Sequence, residues 1–188
     1  MNPTVFFDID GCLADFVGGA LKIHNREDVK HADVPWGMEA HLGITPEAFW
    51  SPLDYGFWAN LGKLEDGFGL LAVAEQLVGP ENIGLLTSPC RTAGCAEGKI
   101  DWVKKHLPQY SRHLFIGSAK QLFAGPSKIL VDDHNANVDR FAQAGGNVVL
   151  VPRPWNDCKQ YTRPDGSFDV VEIARCLNWS ISQAEGKA

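Results

Sequence analysis

Three short clusters carry residue types suited to moving a phosphoryl group: Asp8-Ile9-Asp10-Gly11, Thr87-Ser88 and Asp132-Asp133, with Lys99 and Lys120 between the last two. A carboxylate can attack phosphorus and become an aspartyl-phosphate. It needs a cation to offset its repulsion from the phosphate dianion, and a site of few carboxylates, water and phosphate oxygens suits Mg²⁺. A second carboxyl two residues on can protonate the leaving oxygen, then take a proton from the water that cleaves the intermediate. Hydroxyls, backbone N–H groups and a lysine can hold the transferring oxygens. In that order Asp8 is the nucleophile and Asp10 the acid/base. Thr87 and Ser88 hold phosphate oxygens, Lys99 or Lys120 supplies positive charge, and Asp132 and Asp133 join Asp8 and Asp10 at the metal.

Such groups must be held at strand ends. Thr4 to Phe7 is a β-branched and aromatic run that stops at the first acid, and reads as a buried strand before a turn. IGLLT at 83–87 and Lys128 to Val131 read the same way, with a weaker strand at 113–116 and a last one at 147–151. Between them the apolar spacing predicts helices over 14–24, 66–78, 95–107, 137–143 and 169–184. In the third of these Ile100, Val103 and Leu107 share the predicted inner face. Gly79-Pro80 stops the second, and Gly145-Gly146 closes the fourth. Strands alternating with helices imply an α/β fold with a three-layer, Rossmann-like parallel sheet. In such sheets the site lies at the carboxyl ends of the strands, where all three polar clusters fall.

From 25 to 62 the periodicity loosens, and the stretch is rich in aromatics, among them Trp36, Phe49, Trp50, Phe57 and Trp58. We place a small, mainly helical cap at 17–63, inserted into a core formed by 1–16 and 64–188.

The chain has 188 residues, 45% hydrophobic and 21% charged, with a net charge of −6, which fits one globular core. No Lys/Arg-rich run is present, which argues against duplex nucleic acid as a partner. A small phosphate ester remains compatible with this acidity, because a metal and a few local cations can hold it. The five cysteines are odd in number and lack C-x-x-C spacing. They read as reduced residues of a cytoplasmic protein. No apolar stretch is long enough for a membrane span, and the N-terminal residues have no basic region of a signal peptide.

DIDGCLADF at 8–16, LLTS at 85–88, a lysine and ILVDD at 129–133 resemble, in order, the four motifs of the haloacid dehalogenase superfamily. The resemblance covers roughly 4–151 outside the cap. The acid at Asp10 is the one that the superfamily's phosphatases and phosphomutases have and its dehalogenases lack. More closely, Asp8 to Phe16, Thr87-Ser88-Pro89, Lys99 with Trp102-Val103, and Asp132-Asp133 are similar to the 5′(3′)-deoxyribonucleotidases. That resemblance implies that Lys99 and Lys120 both approach the phosphate, that Phe16 flanks a base, and that Arg91 contacts substrate. Trp36 and Trp50 would complete an aromatic pocket, which accepts any base. It also implies that Asp133 binds the metal directly while Asp132 supports it. Cys12 stands where that family usually has valine.

Plainer roles compete for some of these residues. Asp10-Gly11 alone could be a turn. Asp15 reads as a helix cap, Trp58 as cap core and Trp102 as packing. The six histidines show no zinc-hydrolase spacing. The favoured activity is hydrolysis of nucleoside monophosphates, most readily deoxyribonucleotides. Its rivals are a phosphatase of sugar phosphates, other small esters or polynucleotide ends, a phosphomutase, and a non-catalytic nucleotide- or partner-binding protein. An aromatic-rich cap favours nucleotides over sugars, and an exposed cap aromatic would equally serve a homodimer contact.

Overall fold

The computed structural model describes residues 3–90 and 92–186. Its centre is a five-stranded sheet. Strand β1 (Thr4–Phe7) lies in the middle. After a two-residue strand β2 (Ala14–Asp15) and its partner β3 (Gly62–Lys63), the chain forms β4 (Ile83–Thr87) and β5 (Leu114–Ile116) on one side of β1. It then crosses to form β6 (Lys128–Asp132) and β7 (Asn147–Leu150) on the other. The order is β5-β4-β1-β6-β7 and every pairing is parallel, with Val5 opposite both Ile83 and Ile129. The switch in direction falls beside β1, and a crevice at the carboxyl ends of β1, β4 and β6 follows from it.

The strands read as continuous apolar runs because both sheet faces are covered. Alternate residues feed two cores. Val5, Phe7, Leu85, Ile129 and Val131 join the larger one, with Leu70 and Leu71 of α5 (Glu65–Val78), Trp102 and Val103 of α6 (Cys95–His106), and Leu177 of α8 (Val170–Gly186). Phe6, Leu86 and Leu130 point the other way, against Phe141 of α7 (Asn135–Gln143). This is the predicted three-layer α/β fold.

Between β2 and β3 lies the insertion. It contains α1 (Phe16–Ile23), α2 (Met38–His41), α3 (Pro46–Trp50) and α4 (Tyr55–Ala59), with a single 3-10 turn at His31–Asp33. The antiparallel β2–β3 ribbon brings the chain out and back at one place. Asp15 caps α1, accepting the Gly18 N–H at 2.8 Å, which is the role expected of it. Thr45 and Asp54 cap α3 and α4 in the same way.

Two expectations need correction. The first helix starts at Phe16, not at 14, because Ala14 and Asp15 are taken into the ribbon. In α6 the buried stripe is Cys95, Gly98, Lys99, Trp102 and Val103, whereas Ile100 is turned outward. The physical cause is α4, which packs on this helix so closely that a Cβ at Gly98 would lie 2.8 Å from the Tyr55 carbonyl oxygen and 2.6 Å from the Trp58 Cβ. Trp102 packs as expected, its indole donating to the Leu61 carbonyl. All five cysteines are free. No described helix is long and apolar enough to cross a membrane.

Candidate active site

At the carboxyl edge of the sheet, beneath the insertion, lies a cavity of about 440 Å³. Asp8, Asp10, Ser88, Lys99 and Asp133 form its polar floor. Phe16, Trp36, Trp50 and Trp58 come from the insertion, and His134, Asn137, Arg140 and Trp155 from the core. The volume and the apolar wall around convergent polar groups are those of a small-molecule site.

Asp8 continues β1 for one more rung, its N–H donating to the Val131 carbonyl at 2.9 Å. This fixes the residue against β6 with its side chain 9% exposed, 2.7 Å from the Lys120 ammonium. Asp8 Oδ1 is held by that ion pair. Lys120 also reaches Asp132 Oδ2 at 2.6 Å. Burial disfavours the lysine's charge, but the two carboxylates outweigh it and raise its pKa.

Lys99 is the second buried cation. It donates to the Asp10 carboxylate, to Thr87 Oγ1 at 3.0 Å and to the Ser88 carbonyl at 2.5 Å, and lies over the Trp58 ring. Burial pushes the Asp10 carboxyl up; Lys99 pulls it back, and the Asp8 charge adds to the rise, leaving it above the ordinary range. Thr87 is fully buried, and its hydroxyl meets Lys99 rather than the cavity. Thr87, Lys120 and Asp132 stand behind the wall, whereas Ser88 and Lys99 line it.

The acid pair splits by surroundings. Asp132 accepts from Lys120, from the His134 N–H at 2.9 Å and twice from Asn137, so both its oxygens are committed. Asp133 lines the cavity and accepts the Trp155 indole N–H at 2.7 Å. Burial, then the Asp132 and Asp8 charges, hold the Asp133 carboxyl well above the usual range. Oxygens of Asp8, Asp132 and Asp133 lie within 4.8 Å of one another. Asp10, expected with them at a metal, is not in that group, its carboxylate being turned to Lys99. On and behind the cavity wall, four carboxylates therefore stand against two ammonium groups. Buried like charges are tolerated when a metal joins them, and the clustered Asp8 and Asp133 oxygens, the latter sparsely bonded, suit a small oxygen-seeking dication.

Among the aromatics, Phe16 lies near-parallel to Trp50 and Trp58, with ring centroids 6.0 and 5.6 Å apart. Trp58 is core, as expected, and wall as well: its indole donates to the Leu53 carbonyl while its ring meets Lys99. Trp36 lies on His134. Arg91, expected to touch substrate, lies outside the described residues. His134, Asn137, Arg140 and Trp155 were not singled out from the sequence. His134 follows the acid pair directly and precedes α7, which carries Asn137 and Arg140. Trp155 lies beyond the resemblance, and its one signal is that it follows a strand end on the site's edge of the sheet.

The sheet order, the crevice at β1 and the placement of the two acid pairs define a hydrolase of the haloacid dehalogenase class. A haloacid dehalogenase family hydrolase from Deinococcus radiodurans R1 has the same fold, with TM-score 0.55, 17% identity, and 96% of this chain and 97% of that one covered. So does a haloacid dehalogenase-like hydrolase from Streptococcus pneumoniae, with TM-score 0.56, 13% identity, and 93% and 98% covered. At these identities the likeness is one of fold. No curated protein matches the chain in sequence. Residues 2–175 match the family model described as 5′ nucleotidase, deoxy (pyrimidine), cytosolic type C protein (NT5C), and the chain belongs to that family. It is a phosphoric monoester hydrolase.

Proposed function

We propose that the protein is a Mg²⁺-dependent nucleotidase that hydrolyses nucleoside monophosphates, deoxyribonucleotides above all, to nucleoside and phosphate. The observation that carries this reading is the position of Asp8: it lines the same cavity as the aromatic residues Phe16, Trp36 and Trp50. A phosphate at the floor would leave a base among Phe16, Trp36 and Trp50. Residues 17–63 act as the cap that closes over it. The family's description names deoxy-pyrimidine and cytosolic members; we extend both to this chain, as substrate class and cytoplasmic location.

In the first step Asp8 attacks phosphorus, the ester P–O bond breaks, and Asp10 gives its proton to the leaving nucleoside oxygen. Burial raises the Asp10 pKa, which favours its use as the acid. In the second step Asp10, now ionised, takes a proton from water. That water attacks phosphorus, and the acyl phosphate bond breaks to return Asp8. Ser88, with its neighbouring backbone, and Lys99 hold the phosphate oxygens from the wall, and Lys120 and Thr87 support them from behind. Asp8 and Asp133 would hold Mg²⁺ with Asp132 fixing its neighbour, and the ion would supply charge neutralisation between carboxylate and phosphate.

Phosphate release from 5′ and 3′ ribo- and deoxyribonucleoside monophosphates and from sugar phosphates, with Mg²⁺ and with EDTA, tests the reading. Metal-dependent release that is strongest from nucleotides is the expected outcome. Release from sugar phosphates alone would discard the base pocket, and silence across the panel would discard the activity.

A further inference from the structure

The stretch 151–156 between β7 and α8 takes no part in the reaction just described, yet it is bonded to both acid-bearing turns. Arg153 Nε donates to the Gly11 carbonyl at 2.6 Å. Asn156 Nδ2 donates to the Asp133 carbonyl and to the Val151 carbonyl, each at 2.8 Å. Between these anchors stands Trp155, whose indole N–H donates to Asp133 Oδ2 at 2.7 Å.

The space for that meeting comes from Gly11, whose φ is +74°. A Cβ there would lie 2.3 Å from Asp133 Oδ2 and 3.2 Å from the Trp155 ring. The sequence reading explains Gly11 as a turn residue. In the structure it also leaves room for the carboxylate and the indole.

The type of donor matters. Asp132 is saturated by a lysine, an amide and a backbone N–H. Asp133 has, among the described residues, the Trp155 indole as its side-chain donor. An indole N–H donates and never accepts, so it requires Oδ2 to be an acceptor. It carries no charge, so it orients the carboxylate without neutralising it, as an ammonium would. Groups that hold a metal's ligands in this way commonly govern the affinity of the site.

We propose that Trp155 is a positioning residue for the divalent cation: its N–H holds the Asp133 carboxylate in one orientation beside Asp8. This rests on the magnesium reading given above.

Calorimetric titration of Mg²⁺ into the full-length protein, without substrate, tests it. Trp155 is half-buried, so Trp155→Phe keeps most of its packing while losing the N–H. Its Mg²⁺ Kd should rise about 10- to 100-fold, with metal-free melting little changed. Trp155→His restores a ring N–H and should bind Mg²⁺ more tightly than both Trp155→Phe and Trp155→Leu. Equal affinity of Trp155→Phe and the wild type would overturn the proposal and leave the metal reading standing. So would an order of affinity that follows side-chain size and ignores the N–H. If Trp155→Phe does not fold, the comparison of Trp155→His with Trp155→Leu decides by the same criterion. A wild-type protein that shows neither binding heat nor a Mg²⁺-dependent rise in melting temperature would remove both readings together.

Discussion

The indole of Trp36 lies flat on the imidazole of His134, their centroids 4.1 Å apart and their planes 12° from parallel. Trp36 belongs to the insertion, and His134 follows Asp133 directly on the core. The stack therefore bridges the cavity between its two walls, although Trp36 is 63% exposed. A residue so exposed contributes little to the fold, and it lines the cavity. Stacking of a base on an aromatic ring is worth about 1–3 kcal/mol by alanine substitution. Trp36→Ala should therefore raise KM for a nucleoside monophosphate by about tenfold, near the lower end of that range, with melting unchanged. Steady-state kinetics across a nucleotide and a sugar phosphate would check this, since only the nucleotide should lose. An unaltered KM would remove Trp36 from the pocket.

The roles given to Asp8 and Asp10 separate with a substrate whose leaving group needs no proton. Asp8→Asn should abolish turnover, a loss of at least about 10⁴-fold for a missing nucleophile, while circular dichroism and melting stay native. Asp10→Asn should behave differently. With p-nitrophenyl phosphate it should release one equivalent of nitrophenolate and then stall, because the water that cleaves the intermediate has lost its base. A burst in stopped-flow absorbance, with labelled phosphate left on the quenched protein, is the expected record. Steady turnover by Asp10→Asn would place the base elsewhere.

Asp15 caps α1 and meets His31 of the insertion at 3.4 Å, and its contribution depends on pH. Burial raises its pKa, but the His31 contact and the Gly18 N–H outweigh this, and the carboxyl lies below its ordinary 3.8. A depressed acid pKa means that the unfolded chain binds the proton more tightly than the folded one. The stabilisation is therefore complete above pH about 4 and is lost as pH falls through the folded value. Asp15→Ala should cost about 1 kcal/mol at pH 7, the usual size of a lost helix cap, and the difference from wild type should shrink below pH 4. Urea melts at pH 7 and pH 3 would show it. A difference independent of pH would mean that the effect is packing.

The sheet was legible because its strands are apolar on both faces and each ends at a polar pair; β1, β4 and β6 fall within a residue of their expected bounds. The order of Asp8, Thr87, Lys99, Lys120 and Asp133 along the chain was legible for the same reason, since strand ends converge. What a strand end cannot tell is which side of the wall a residue takes. Thr87 and Ser88 are neighbours, yet one hydroxyl is spent on Lys99 and only the other residue lines the cavity. Nor does periodicity reveal Lys99 on a buried stripe, because a helix that serves both core and site violates its own apolar pattern. The segment after β7 was opaque altogether. It has no repeat, its only regular pieces are a 3-10 turn at Lys159–Tyr161 and a bridge between Thr162 and Phe168, and its order comes from long-range polar contacts.

Those contacts meet at Arg153. Its guanidinium is fully buried and grips Asp66 of α5 with two N–H groups, at 2.6 and 3.0 Å. It also donates to the Gly11 and Gly166 carbonyls and lies over the Phe168 ring. Asp66 in turn accepts the Phe168 N–H at 3.0 Å. One ion pair therefore joins α5, the turn after Asp10 and the 152–168 segment. Removing one partner leaves the other charged and buried, at a cost of about 3–5 kcal/mol. Asp66→Ala and Arg153→Met should each lower stability by that order in urea denaturation. The double variant should recover part of the loss, because no lone charge remains. Additive losses would contradict the pairing, since residues in one contact network couple. The two single variants should also differ in what survives: Arg153→Met frees the Gly11 carbonyl and should impair the Asp8–Asp10 turn, whereas Asp66→Ala leaves that bond in place. Phosphate release measured well below each variant's melting point should therefore fall further in Arg153→Met, and equal activity in the two folded variants would show that the Gly11 bond does not set the turn.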